Sequence, residues 1–247
     1  MRIFAVLLQL FPVVAAAAAP PAPSYRLPWP EGRSFTITQA PGGWITTHVL
    51  KSNRYAVDIA MPEGTPVLAA RQGVVEETQW RSGGGAGLDP LTDSGNYVLV
   101  RHEDGTLATY AHLRYARVVV VSGEAVAAGG LLGYSGTTGF SSGPHLHFGV
   151  SRTESAGGRE VEVSVPVTFT IGVPPLAFAP RAALTVTANY SSAAELPQAA
   201  SERRMFERQT RVLSSEELPW AWLGLALWVA AGVAGMAWCW RFSNSKS

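Results

Sequence analysis

Two histidines separated by a single leucine, in Gly143-Pro144-His145-Leu146-His147-Phe148, are the residues whose type and spacing point most directly to chemistry. In an extended chain, side chains two positions apart leave the same face, so both imidazoles address one surface. Neutral imidazole ligates metals and also exchanges a proton near neutral pH, so the pair suits a metal ligand beside a catalytic partner. The glycine-rich run 133–142 just ahead of it supplies turns. Taken alone, the pair describes two ordinary surface histidines better than a metal site.

The chain has five histidines in all. His48 lies upstream of Tyr55-Ala56-Val57-Asp58, and His112 lies in Thr109-Tyr110-Ala111-His112-Leu113, both in strand-like composition near turn residues. His102 follows the apolar run Tyr97-Val98-Leu99-Val100 and precedes Glu103-Asp104-Gly105, which makes it a strand-end residue beside a hairpin turn. Glu63 and Glu103 are poor candidates for a general base, because no helical His-Glu-x-x-His phrase accompanies them and Glu63-Gly64 reads as a turn.

Together these residues resemble the lysostaphin-type, or LytM-type, zinc metalloendopeptidases. That family's motifs are an upstream His and Asp, a central Tyr-x-His-Leu and a terminal His-x-His, and the resemblance runs from about residue 30 to about residue 170. It implies a mainly β fold, the antiparallel sheet sandwich of the duplicated hybrid motif peptidases. It implies zinc as cofactor, with His48, Asp58 and His147 as metal ligands and His112 and His145 as catalytic histidines. The common pattern places the first ligand where this chain has Arg54, and a looser variant with the histidine further upstream fits His48. The implied substrates are the stem or cross-bridge peptides of bacterial peptidoglycan.

The residue types agree with that assignment. A catalytic zinc is held by three protein donors and keeps its fourth position for water, and two imidazoles with one carboxylate meet that need. Zinc lowers the pKa of its water toward about 7. A general base and a donor to the developing oxyanion are then required, and His112 and His145 each suit either role.

Those side chains need a rigid frame. Runs rich in Val, Thr and Tyr at 34–38, 55–60, 66–70, 73–79, 97–101, 107–112, 117–121, 131–134, 145–151 and 161–170 alternate with Gly, Pro, Asn and Asp, which predicts antiparallel sheet rather than βαβ units. The peptidase domain is expected over 25–170. Strand-like pieces at 176–178 and 184–189 either close the sheet or form an appendage, within a β-appendage and polar stalk over 171–219. The loop 81–95, with Gly83-Gly84-Gly85, reads either as a groove wall or as a tolerated surface insertion.

The two ends bear on where the chemistry takes place. Residues 1–19 combine Arg2, an apolar stretch and a run of alanines, the pattern of an export signal peptide. Residues 220–240 form an apolar stretch with tryptophans at both limits, long enough to span a bilayer as one transmembrane helix, followed by the short basic tail 241–247. The expectation is an exported, membrane-anchored protein with its catalytic domain in the periplasm or on the outer face of the cytoplasmic membrane. The single cysteine, Cys239, lies in the apolar stretch, so no disulfide framework supports the outer domain. A formal net charge of +1 gives no polybasic signature for nucleic acid. Two function classes follow: a zinc endopeptidase, or an inactive relative that binds the wall and activates other hydrolases. The second class typically loses metal ligands, whereas this chain has the full set.

Overall fold

A computed structural model describes residues 24–43, 46–83 and 95–194. The expected signal peptide, the transmembrane helix with its tail, the segment 195–219 and residues 84–94 of the long loop lie outside the described residues. Among the described residues no helix is long and apolar enough to cross a membrane.

The described chain is built from strands. They are β1 Ser24–Tyr25, β2 Ser34–Gln39, β3 Val57–Ala60, β4 Pro66–Leu68, β5 Gly73–Gln79, β6 Asn96–Arg101 and β7 Leu107–Val118. They continue as β8 Ala125–Val126, β9 Leu131–Ser135, β10 His145–Ala156, β11 Arg159–Ser164, β12 Thr168–Ile171, β13 Leu176–Phe178 and β14 Thr185–Thr187. The main sheet is 11-stranded in the order β14-β2-β3-β10-β7-β6-β5-β8, with β11 on β10 and a β4–β9 ribbon joined through β9 to β7. A second, 3-stranded sheet has the order β1-β12-β13.

Period-two alternation decides what each face of the main sheet carries. On β10, Leu146, Phe148 and Val150 are buried while His145 and His147 are partly open; on β6, Val98 and Val100 alternate with Tyr97 and Leu99. The apolar set faces the second sheet, where Phe148 meets Phe169 of β12 at 5.7 Å and Tyr25 of β1 at 6.0 Å between ring centroids. Each fully buried aromatic of this kind contributes roughly 1.5–3 kcal/mol. The core is therefore a two-layer sandwich closed behind the sheet, and the opposite face is free to carry polar side chains. Two of the polar groups on core aromatics are paired: the Tyr110 hydroxyl accepts from the Ala70 amide at 2.8 Å, and the Trp29 ring nitrogen donates to Arg33 O at 3.0 Å.

Three expectations change in detail. The runs expected at 107–112 and 117–121 are largely one strand, β7, because the chain bends at His112 and Ala116, both at positive φ, and moves from β6 to β9 as partner instead of turning back. The run expected at 161–170 splits into β11 and β12, since Pro166 lies between them and offers no N–H to a ladder. Finally, β1 pairs with β12 in parallel, so the sheets are antiparallel except at this one ladder. The piece at 185–187 joins the main sheet, where β14 pairs with β2.

Candidate metal centre

Three neighbouring strands and one loop bring the predicted residues together. Asp58 on β3 is the register partner of His147 on β10, and His147 is in turn the partner of Ala111 on β7, one residue before His112. His145 pairs with Ala60 on the same ladder. His48 comes from the loop ahead of β3. Gln39 Oε1 accepts from the Thr47 amide at 2.7 Å, Arg54 N donates to Leu50 O and Ala56 N to Asn53 O, so tight turns fold residues 50–56 back and return His48 to the strand. Arg54 itself is exposed, its guanidinium 4.9 Å over the Tyr55 ring.

His48, Asp58 and His147 each offer one ligand atom, and these atoms lie within 4.8 Å of one another. His48 Nδ1 donates to Ala56 O at 3.0 Å, which aims Nε2 at Asp58 Oδ1, 3.2 Å away. His147 Nδ1 is 3.0 Å from the same oxygen. A carbonyl that holds the far nitrogen of an imidazole is the usual support for a metal-bound histidine, because it fixes both tautomer and ring orientation. The donor set fits a divalent cation on a further ground. Asp58 is buried and faced by imidazole nitrogens alone, with His145 Nε2 also at 3.8 Å, so its charge has no fixed cation of its own.

His112 and His145 stand beside that triad with ring centroids 4.5 Å apart, and His112 is 5.9 Å from His147. Both have their Nδ1 atoms engaged by main-chain oxygens, His112 with Thr138 O and His145 with Gly143 O, each at 2.8 Å. Their Nε2 atoms are left for the cavity. His112 has φ of 62°, a left-handed conformation that costs a non-glycine residue energy and persists only where the surroundings impose it. The surroundings do so here: Thr138 Oγ1 donates to Leu113 O at 2.7 Å and accepts from the Asn96 amide at 2.9 Å. The Asn96 side chain, fully buried, holds both main-chain groups of Ser82 and reaches Leu113 O at 3.2 Å. Gly95 completes the joint, since a Cβ there would stand 2.6 Å from Thr138 O.

Electrostatics follow from this geometry. Burial alone would push the Asp58 carboxyl up, but the hydrogen bonds and positive character of His147 and His48 hold it well below the usual carboxylate range. Burial, with His145 and His147 as neighbours, pushes His112 down to about 4, so its ring is neutral at physiological pH. His102, by contrast, is buried elsewhere against Tyr25, centroids 5.6 Å apart, and takes no part in the site.

The five residues line one groove of about 420 Å³, with Tyr97, Leu99, Thr109 and Ala111 from β6 and β7 as floor and Phe140 to Ser142 as one rim. Asn96 and Thr138 escaped the sequence reading. Their partners lie 14 to 42 residues away, and only the Gly-Asn and Thr-Thr-Gly turns mark them locally.

The model of Peptidase family M23 matches residues 52–161, which include Asp58, His112, His145 and His147. That segment belongs to peptidase family M23. His48 lies just ahead of the matched stretch. Among relatives, the chain is 37% identical over 102 residues to the peptidoglycan DD-endopeptidase ShyC of Vibrio cholerae, covering 41% of this chain and 21% of that protein. It is 40% identical over 97 residues to the glycyl-glycine endopeptidase ALE-1 of Staphylococcus capitis, covering 39% of this chain and 24% of ALE-1. It is 33% identical over 151 residues to the DD-carboxypeptidase/endopeptidase Mpg of Neisseria meningitidis, covering 60% of this chain and 30% of Mpg. The chain thus spans less than a third of each of these family M23 relatives.

Proposed function

We propose that the chain is a zinc-dependent endopeptidase that hydrolyses peptide bonds in the stem or cross-bridge peptides of bacterial peptidoglycan. The observation that carries this reading is the convergence of His48, Asp58 and His147 within 4.8 Å, with the free Nε2 atoms of His112 and His145 lining the same groove. The relatives' names supply the substrate class, and two nitrogens with one oxygen favour zinc over the oxygen-loving cations.

Bound zinc would lower the pKa of a coordinated water and polarise a carbonyl. The rest belongs to the protein. His112, kept neutral by burial, would accept a proton from an attacking water and, once protonated, donate it to the leaving amine. The Gly143 carbonyl accepts from Nδ1 of His145 and holds its ring in place, so Nε2 would donate to the oxyanion when the ring carries both protons. The floor of small residues, Thr109 and Ala111, lets an extended peptide lie close to the sheet. The inactive, wall-binding alternative is not favoured, because the expected ligands and both further histidines are all present in the groove.

The apolar segments 1–19 and 220–240 support an exported, membrane-anchored enzyme acting on the outer face of the cytoplasmic membrane. The test is release of new amino groups from purified peptidoglycan by the zinc-loaded protein, abolished by a chelator and restored by zinc. Zinc-loaded protein that releases none from several cross-link types would overturn the proposal.

A further inference from the structure

The groove does not end at the metal centre. A second cavity of about 190 Å³ adjoins it, and the two share Asn53, Thr109 and His147 in their linings. Its floor follows from the strand period, since His147, Gly149 and Ser151 leave the same face of β10. Gly149 makes the depression: a Cβ there would stand 3.2 Å from Ala56 Cβ and 3.9 Å from His147 Nε2, so a larger residue would fill the space beside the ligand.

One wall is Ser52 with Asn53, and the other is β11. Residues paired across an antiparallel ladder share a face, and Glu162 pairs with Thr153, so Glu162 stands on the His147 side of the sheet. It lines the cavity and is exposed to it. Among the described residues no hydrogen bond or ion pair engages its carboxylate. Its cationic neighbour Arg101 is already held at two points by Glu76, at 2.5 and 2.7 Å.

We propose that this second cavity is a substrate subsite that seats a primary ammonium group of the bound peptide, with Glu162 as its counter-ion. The proposal rests on the reading of the metal centre as a peptidase. An ammonium brings three donors and no acceptor, and the Glu162 carboxylate, in a cavity also lined by Ser52 and Thr109, offers acceptors and the opposite charge. A carboxylate on the substrate at the same place would be repelled, so Glu162 also selects against acidic peptides.

The experiment uses the zinc-loaded protein on purified peptidoglycan sacculi, one portion untreated and one treated with acetic anhydride, which turns free amines into neutral amides. The readout is the ratio of soluble peptide release from the two portions. The wild type should favour the untreated sacculi about three- to tenfold, the range for one partly solvated ion pair. Glu162→Gln should bring the ratio near one while keeping its zinc, and Glu160→Gln, on the same strand but outside the cavity, should keep the wild-type ratio. A wild-type ratio of one, or an unchanged ratio in Glu162→Gln, overturns the subsite and leaves the peptidase standing. Zinc-loaded wild type that cuts neither portion overturns both.

Discussion

Asp58 and His147 stand directly opposite each other on adjacent strands, and one carboxylate oxygen meets one imidazole nitrogen at 3.0 Å. The metal centre is therefore written into the β3–β10 register. A slip of one residue would turn either side chain into the apolar core, where Ile59 and Leu146 already pair.

The ligand set is tested at its loop-borne member. The protein should bind about one zinc per chain, His48→Ala should lose metal and activity together, and Arg54→Ala should keep both, because an exposed guanidinium is no donor to a cation. Metal analysis after gel filtration reads the outcome. Full zinc content in folded His48→Ala would show that the donors are wrongly chosen.

Catalysis should separate from metal binding at the other two histidines. His112→Ala and His145→Ala are each expected to retain zinc and to lose roughly two to four orders of magnitude in turnover, the usual worth of a positioned acid, base or oxyanion donor. Wild-type rates on peptidoglycan in either variant would refute its role.

Thr138 acts on the reaction through His112. Thr138→Val removes the hydroxyl that ties Leu113 O to the Asn96 amide, so the imidazole should lose its aim and kcat should fall roughly ten- to hundredfold with zinc and KM little changed. Thr138→Ser, which keeps the hydroxyl, should recover most of the rate. Equal kcat in the valine and serine variants would count against the clamp.

Tyr110→Phe tests the core. It leaves the buried Ala70 amide without its 2.8 Å acceptor and should cost about 1–3 kcal/mol in urea unfolding. A cost below about 0.5 kcal/mol would mean the amide finds another acceptor.

His102 should make stability depend on pH. Burial lowers its pKa from 6.5, against the hydrogen bond it donates to Gln72 O, while Arg71, Asp104 and Arg101 act on it more weakly. The folded state then binds fewer protons than the unfolded one below pH 6.5, so stability is flat above that value and falls as pH drops toward the folded pKa. Thermal unfolding of His102→Gln from pH 7.5 to 5 should show a shallower decline than the wild type, and parallel curves would remove the assignment.

Much of this was legible from residue type. The His-Leu-His alternation predicts one shared face, and Leu146 buried between two open imidazoles is that alternation in three dimensions. The distance between His48 and Asp58 was harder, because turn geometry rather than spacing brings the loop back. Strand ends blurred where bends replaced turns, as at His112 and Ala116, since a positive φ in a histidine or an alanine has no signature in sequence. Asn96, Thr138 and Glu162 were invisible for a common reason: each matters through a cross-strand neighbour, and pairing partners are a property of topology.

The closing ladders also fix when the molecule becomes competent. Thr36 finds Ala60 of β3 early, but its other neighbour Thr185, like Thr168 opposite Ser24, belongs to the last of the described strands. Such long-range closure is slow, and it comes late in the order of synthesis. Asp58 likewise meets His147 only after β10 has been made. A half-finished chain thus has no assembled site: the carboxylate and the imidazole stay apart until the strand that joins them has been made.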